Sequence, residues 1–511
     1  MTAVASKEYP TGLIRVVIVL TCIVASLLEL IDTTIVNVSL HHIAGTLGAS
    51  TTDVAWVITA YAISNVIIIP LSTMLSEIFG RRRYYTFSIL IFTFASFMCG
   101  NSDFLVELVI WRFIQGLGGG ALLSLSQSIL LDAFPPEKLN LASAVYGMGV
   151  ALGPALGPTL GGIITDNYSW HWIFFINVPL GLMAIISSWV VVSDQKERHI
   201  PDKIDWTGIF FLAIGVGCLQ YVLEEGNAND WFDDRAILCL SIVAAIGIIL
   251  FVVRELTTKN PAVNLSLLKH RNLSMGVALN FCMMAILFIG IYAFPLLVQI
   301  DLGWTATMTG VALVPGAIVT SIGMIVCQKL LAKGVKSRTL IQLGFLASFI
   351  FAASFTFQSP SSSWNSLFWP LIFRGLGVGL YMMPAISMAV KGFQGTDMGH
   401  AVGLSNMARQ LGGAVGLALI GTQITNTQGA TRSVLISHIH EYEPVTREVM
   451  NKISGMLQVN GFDVASAKSV ACQYMEAQVL QQSSLLSYLT SFRIMAIVCL
   501  IGFLASFFIK E

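Results

Sequence analysis

The stretch GMGVALGPALGPTLGG, residues 147–162, decides how the rest of the sequence is interpreted. On a helix, the glycines that recur every fourth residue form one side-chain-free ridge: Gly149, Gly153, Gly157 and Gly161. In lipid such a ridge lets a neighbouring backbone approach closely, because small residues and van der Waals contact drive helix association there. Pro154 and Pro158 each remove a backbone donor and bend the helix, which membrane spans tolerate. The pattern fits a plain packing helix or a pivot between two moving halves, and the depth of the repeat favours the pivot.

The composition is that of a polytopic membrane protein. Of 511 residues, 55% are hydrophobic and 11% are charged, whereas a soluble domain carries about 25% charged residues. The 28 basic and 28 acidic residues balance, which gives no basis for binding nucleic acid. The eight cysteines form no pattern that indicates a disulfide framework or a metal cluster.

Apolar runs of span length predict fourteen transmembrane helices and an all-α fold. The predicted spans are 14–38, 54–75, 84–101, 105–131, 141–165, 172–192, 207–223, 236–253, 273–299, 307–330, 339–357, 367–390, 401–424 and 489–509.

Loop charges test the number of spans. With a cytoplasmic N-terminus, every predicted inside segment carries Lys or Arg, for example Arg81–Arg83 and Lys333–Arg338. The short outside loops hold Arg235 alone among acidic residues. The positive-inside rule therefore predicts that both termini are cytoplasmic, because one missed span would reverse the bias of all later loops.

A weak internal repeat divides the chain into two halves. Residues 112–120 (RFIQGLGGG) in span 4 correspond to residues 374–379 (RGLGVG) in span 12. Two parallel six-helix halves around a central site are one of the known transporter architectures. We expect an N-terminal bundle over 1–200, an inserted helix pair (spans 7 and 8) over 201–258, and a C-terminal bundle over 259–511. The last contains a long extracytoplasmic loop at about 425–488.

Ionisable residues inside the spans are the candidates for chemistry. Asp32 lies in span 1, with Glu29 one turn away on the same face. An acid inside a span by default marks an ion pathway, and burial disfavours its charged form. Arg112 in span 4 lies at a similar depth and, as a permanent cation, needs a partner. We predict that Asp32 and Arg112 communicate in one cavity, directly or through water; the alternatives are a neutral structural carboxyl and an arginine held by carbonyls.

Several segments resemble the major facilitator superfamily, and specifically the fourteen-span drug:H+ antiporter-2 family and its EmrB-type multidrug exporters. Residues 147–162 resemble the antiporter motif of span 5, and residues 108–118 the proton-linked motif of span 4. Residues 27–40 (LLELIDTTIVNVSL) resemble the family's first-span signature. Residues 127–138 and 166–179 are closest to the EmrB-type branch.

The resemblance extends to the loop after span 2, TMLSEIFGRR at residues 73–82. Glu77 stands where the family has aspartate, and Gly80, Arg81 and Arg82 match the motif. A carboxylate among arginines at a helix boundary can latch one conformation through charge-assisted bonds. The alternative is a simple cytoplasmic anchor.

Together these features predict a secondary active transporter, because no phosphate loop and no nucleophile with a base is legible. The resemblance implies a proton-coupled exporter of amphiphilic drugs in the inner membrane, with protons as coupling ion and no other cofactor. It also implies a periplasmic adaptor and an outer-membrane channel as partners. The candidates for lining the substrate cavity are Trp56, Tyr61, Gln115, Asn177 and Arg409. A dedicated metabolite exporter and a proton-coupled importer are the alternatives.

Overall fold

A computed structural model describes residues 9–135, 138–193, 204–258, 260–360, 362, 364–439 and 443–509. Two predicted domain boundaries fall at residues that lie outside the described part of the chain, residue 200 and residue 259. Residues 1–8 and 510–511 lie outside it as well. The described part is almost entirely helical and has no β-strand.

The first half of the chain forms seven helices that account for spans 1 to 6. They are α1 (Gly12–Leu47), α2 (Thr51–Phe79), α3 (Arg81–Cys99), α4 (Leu105–Asp132), α5 (Leu139–Asn167), α6 (Trp172–Phe175) and α7 (Asn177–Val191). Span 6 is divided into α6 and α7, which meet at Ile176.

The remainder forms the inserted pair, the second half and one extra helix. These elements are α8 (Trp206–Glu225), α9 (Arg235–Thr257), α10 (Arg271–Leu296), α11 (Ala306–Ala332), α12 (Ser337–Phe355), α13 (Trp364–Val390), α14 (Gly395–Ser437), α15 (Pro444–Val459) and α16 (Val464–Ala505). A π-helical turn, Leu297–Asp301, extends α10.

Eleven helical segments within the described residues are long and apolar enough to cross a membrane. The remaining predicted spans correspond to α3, α5 and α14, which pack inside the same bundles. Gly118 of α4 sits against the α3 backbone at Phe92, and Gly412 of α14 against the α10 backbone at Phe281. The chain is therefore an all-α multi-pass protein whose helices correspond to the fourteen predicted spans.

The two halves touch near one end of the bundle, here called the basic end, where the loops carry Arg81–Arg83 and Lys333–Lys336. Thr73 of α2 contacts Gly399 of α14, and Gly147 of α5 lies near Met324 of α11. These residues are all within the basic-end half of their helices. The loop charges predict that this end is cytoplasmic.

The inserted pair lies across the seam between the halves. Its two helices pack through Gly215 and Gly247, whose backbones meet directly. Thr59 of α2 donates a hydrogen bond to Glu225 (Oγ1–Oε1 3.2 Å), and the Trp231 indole donates to Thr422 of α14 (2.8 Å). The pair therefore contacts both halves.

The glycine ridge of α5 faces α1, while α5 also contacts α11 and α13 of the other half, so the role of α5 as a pivot stays a prediction. Cβ atoms placed on Gly149, Gly153 and Gly157 would lie 2.7 Å or less from α1 side chains. The ridge therefore brings α1, with its buried acids, against α5 of the same half. The helix runs through positions 154 and 158, whose side chains lie outside the described part.

The predicted loop at 425–488 is largely helical. At 1.5 Å per residue, the 43-residue α14 is about 64 Å long, roughly twice the hydrocarbon thickness of a membrane. The 42-residue α16 is similar, and α15, which lies between them in the chain, packs against α16. Both end spans therefore project well beyond the membrane as a helical extension formed by residues 425–488.

Close packing at the ridge predicts that substitutions at two glycines of α5 differ in their effect on stability. Gly157→Ala places a methyl group 1.8 Å from the Thr34 hydroxyl, whereas Gly162→Ala meets nothing within 4 Å. We expect Gly157→Ala to lower the free energy of unfolding by about 1–3 kcal/mol and Gly162→Ala to leave it unchanged or higher. Thermal unfolding of the purified variants in detergent measures this. Equal stability of the two variants would contradict the packing described.

Candidate functional site

The centre of the N-terminal bundle holds a buried ion pair. Arg112 Nη1 of α4 lies 2.5 Å from Asp32 Oδ2 of α1, and both side chains are almost fully buried, with relative exposures of 1% and 0%. The predicted communication between the two residues thus takes the form of a direct contact. Such short N–H···O bonds between charged groups are among the strongest hydrogen bonds in proteins.

The second oxygen of Asp32 is also fully engaged. Gln115 Nε2 donates to Asp32 Oδ1 at 2.9 Å, and Asn177 Nδ2 donates to the same oxygen at 3.1 Å. Asn177 also donates to Ser96 of α3, which fixes its orientation. Two residues predicted to line a substrate cavity are therefore ligands of the carboxylate.

Arg112 has partners other than Asp32. Its Nε donates to the Val57 carbonyl at 3.0 Å, and its Nη1 also donates to Gln115 Oε1 at 2.8 Å. The Tyr61 ring centroid lies 4.2 Å from the guanidinium carbon, and Phe174 covers it at 5.8 Å. These rings exclude water, so that the charges interact in a medium of low polarity.

Glu29 occupies a neighbouring polar site on the same face of α1. Its Oε1 accepts from Asn65 Nδ2 at 3.1 Å, and its Oε2 accepts from the backbone N–H of Leu123 at 2.9 Å. Asn65 also reaches the Tyr61 hydroxyl at 3.5 Å. A chain of polar contacts therefore runs from Glu29 through Asn65 and Tyr61 to the Arg112 guanidinium.

Trp56 does not join this site. Its side chain is 40% exposed and its ring packs on Tyr221 of α8 at 5.3 Å. Trp56 therefore belongs to the contact between α2 and the inserted pair. The sequence does not show which face of α2 the inserted pair covers.

Arg409 lies at the seam between the halves. It is buried on α14 and donates from Nη1 to Asn406 Oδ1 at 3.2 Å. Asn406 in turn donates to Ser124 and Gln127 of α4, both at 3.2 Å. Sequence reasoning missed Asn406 as a link between the halves, although an amide inside a span is a usable signal.

The loop after span 2 differs from the predicted latch. Gly80, at φ +89°, joins α2 to α3, and Arg81 pairs with Asp132 of α4 at 2.6 Å. Glu77 lies 3.9 Å from His400 of α14 and, among the described residues, pairs with no arginine. Arg82 lies over the Trp189 ring at 4.4 Å. The Glu77 carboxylate thus faces the other half. The ion pair of Arg81 is formed instead with Asp132, which lies outside the motif.

Two helical bundles that meet near one membrane face, with a buried ion pair in one of them, are the architecture of a membrane transporter. The chain belongs to the Major Facilitator Superfamily, whose family model matches residues 22–417.

Relatives and a solved structure agree with this assignment. The multidrug export protein EmrB of Haemophilus influenzae is 32% identical over 484 residues, 94% of this chain and 92% of the relative. EmrB of Escherichia coli is 33% identical over 434 residues, 84% of both chains. The fatty acid resistance protein FarB of Neisseria gonorrhoeae is 33% identical over 432 residues, 84% of this chain and 85% of the relative. The human organic anion transporter MFSD10 has the same fold, with a TM-score of 0.56 at 13% identity, over 95% of this chain and 99% of its own.

The ion pair predicts strong energetic coupling between its members. Arg112→Gln leaves a buried carboxylate without its counter-ion, so we expect this change to cost about 3–5 kcal/mol of stability. Asp32→Asn should cost less, because Arg112 keeps the Val57 carbonyl and Gln115 Oε1 as acceptors. The double variant removes both charges and should cost less than the sum of the single changes. Unfolding of all four proteins in one detergent forms the cycle that measures this. Additive losses would mean that the two groups do not interact in the folded protein.

Proposed function

We propose that this protein is a proton-coupled multidrug efflux antiporter that exports amphiphilic, hydrophobic compounds by alternating access. The observation that carries the proposal is the buried Asp32 carboxylate, held by Arg112, Gln115 and Asn177. A carboxylate that is charged in the interior of a membrane bundle depends on all three donors, so that adding a proton changes their balance.

Protonation would act on the packing of α1. A neutral Asp32 no longer attracts the Arg112 guanidinium as an ion, which weakens the tie between α1 and α4. The glycine ridge of α5 presents a smooth surface to α1. The first helix could then shift within its half without the interlocking side chains that a larger residue would impose.

In the proposed cycle, the arrangement of the two halves seen here would be one end state. The halves are joined at the basic end by Asn406 with Ser124 and Gln127, and by the approach of Glu77 to His400. With the basic end in the cytoplasm, this is the state closed toward the cytoplasm. Opening inward requires these polar contacts to break.

The proton gradient can supply the work of export. Moving one charge across 100 mV yields about 2.3 kcal/mol, which corresponds to roughly a fifty-fold gradient of a neutral compound. The coupling ion is thus sufficient for strong accumulation outside the cell, and no further cofactor enters the proposal.

Similarity supports the cargo class. The relatives named EmrB are called multidrug export proteins and match most of this chain. The cargo would be small amphiphilic drugs that partition into the surrounding lipid and meet the apolar and aromatic walls of the bundle.

The helical extension supports a partnership outside the membrane. On α15, exposed apolar side chains lie on one face: Val445, Val449, Met456 and Val459. We propose an inner-membrane location with both termini cytoplasmic, in which this face, here called the α15 face, contacts a periplasmic adaptor. The adaptor would lead to an outer-membrane channel and so complete a tripartite system.

Proton coupling is tested by replacing the Asp32 carboxyl group with an amide. Asp32→Asn should abolish concentration of a drug against its gradient in proteoliposomes driven only by a pH difference, because the amide cannot exchange a charge. Asp103→Asn, an exposed acid outside the membrane helices, is the matched control and should transport normally. Uphill transport by correctly folded Asp32→Asn would refute the coupling role.

The adaptor contact is tested on the α15 face. The double change Val445→Asp and Met456→Asp should remove cross-linking to a periplasmic adaptor in cells, because charges replace an apolar contact. Gln458→Asp, exposed on the same helix but away from that face, is the control. Proton-driven transport in proteoliposomes should be unchanged in both. Unaltered cross-linking in the double variant would exclude this face as the docking surface.

A further inference from the structure

A further cation, Arg374, lies in the middle of the C-terminal bundle. Arg374 is ten residues into α13 from Trp364, which corresponds to a depth of about 15 Å, or half of the hydrocarbon core. Its side chain is partly exposed, whereas Phe351 and Met495 beside it are buried. The guanidinium is therefore reachable at the depth at which transporters of this architecture bind their cargo.

The described surroundings of Arg374 are apolar and provide no counter-ion. Its Nε lies 3.6 Å from the position that a Cβ would take on Gly290 of α10, and Phe351 and Met495 approach the same point. Its guanidinium carbon is 6.0 Å from the Phe351 ring centroid. Within the described part of the chain, no hydrogen bond or ion pair is formed by this guanidinium, in contrast to Arg112.

The chain also lacks an acid that could reach Arg374 from its own half. Between residues 271 and 439 the only carboxylates are Asp301 and Asp397. Asp301 ends the π-helical turn after α10 and accepts from Ser484, while Asp397 lies in the first turn of α14 at the basic end. Neither is at the depth of Arg374.

The internal repeat shows what this position does in the other half. Gly116 and Gly120 of α4 pack closely against the α2 backbone. Gly375 and Gly379 of α13, which have the same four-residue spacing, pack closely against the α11 backbone. Arg374 therefore occupies the place of Gln115, the residue before the glycines. Gln115 donates a hydrogen bond to the Asp32 carboxylate. The C-terminal half thus has an arginine, a stronger hydrogen-bond donor, at the position equivalent to Gln115. Within the described part of the chain, no carboxylate accepts a hydrogen bond from it.

We propose that Arg374 binds the anionic headgroup of an amphiphilic cargo, a carboxylate or a similar oxyanion, while the apolar tail extends along the apolar interior of the bundle. A guanidinium remains charged at this depth, and an unpaired buried charge is costly, so an ionised ligand would remove an existing penalty. The planar donor fork also matches two carboxylate oxygens. This inference rests on the proposed export function and narrows its cargo to amphiphiles with a negative charge.

The test compares two twelve-carbon probes of opposite charge, dodecanoate and dodecyltrimethylammonium. Binding is measured on protein in nanodiscs without any gradient, for the wild type, Arg374→Gln and Arg374→Lys. We expect Arg374→Gln to weaken dodecanoate binding at least about tenfold and to change binding of the cation by no more than about twofold. Arg374→Lys should restore part of the dodecanoate affinity. Arg432→Gln, the same change at an exposed ion pair of the helical extension, is the control and should bind both probes as the wild type does.

Each other result has a definite meaning. Unchanged dodecanoate binding in Arg374→Gln, or equal weakening of both probes, would overturn the assignment, and so would a wild type that does not bind dodecanoate. Because binding needs no gradient, it is independent of proton coupling. Normal dodecanoate binding together with a failure of pH-driven transport in the wild type would count against the proposed function and leave the anion site in place.

Discussion

A carboxylate can remain ionised inside a membrane bundle only if protein groups replace the water that it has lost. Asp32 meets this condition with donors from two different helices. Arg112 and Gln115 come from one face of α4, and Asn177 is the first residue of α7, directly after the break at Ile176. The interruption of span 6 thus directs an amide side chain into the bundle.

The same constraint explains why α5 is rich in glycine. The polar donors reach Asp32 only if α1 lies deep within its half, in contact with α4 and close to α5. At Gly157, even a methyl group would lie 1.8 Å from Thr34 of α1. The ridge is therefore a consequence of where the charge is buried. Its four-residue period follows from the need to keep one continuous face of α5 against α1.

Much of this arrangement could be predicted from the sequence, and what could not has a common cause. Hydrophobic runs and loop charges define spans, and a buried Asp with a buried Arg at similar depth indicates a pair, because neither charge is tolerable alone. Periodicity shows that the α5 glycines share a face, but not that this face meets α1 while other positions of α5 meet α11 and α13. Arg81 likewise takes Asp132, which is 51 residues away, over the nearby Glu77. The polar loop at 425–488 was identified by composition, and α15 and α16 within it pack against each other.

The partners of Arg112 decide whether a proton on Asp32 is energetically tolerable. If Asp32 were the only group near the guanidinium, neutralising it would leave a buried cation exposed to hydrocarbon, a penalty of several kcal/mol. The Val57 carbonyl and Gln115 Oε1 both accept from Arg112, and the Tyr61 face lies against it, and none of these loses its polarity when Asp32 is protonated. The cation is thus solvated by the protein in both protonation states, while the carboxyl group is held strongly in only one. In the proposed mechanism, that asymmetry would let a proton loosen α1 from α4 without making the whole bundle unstable.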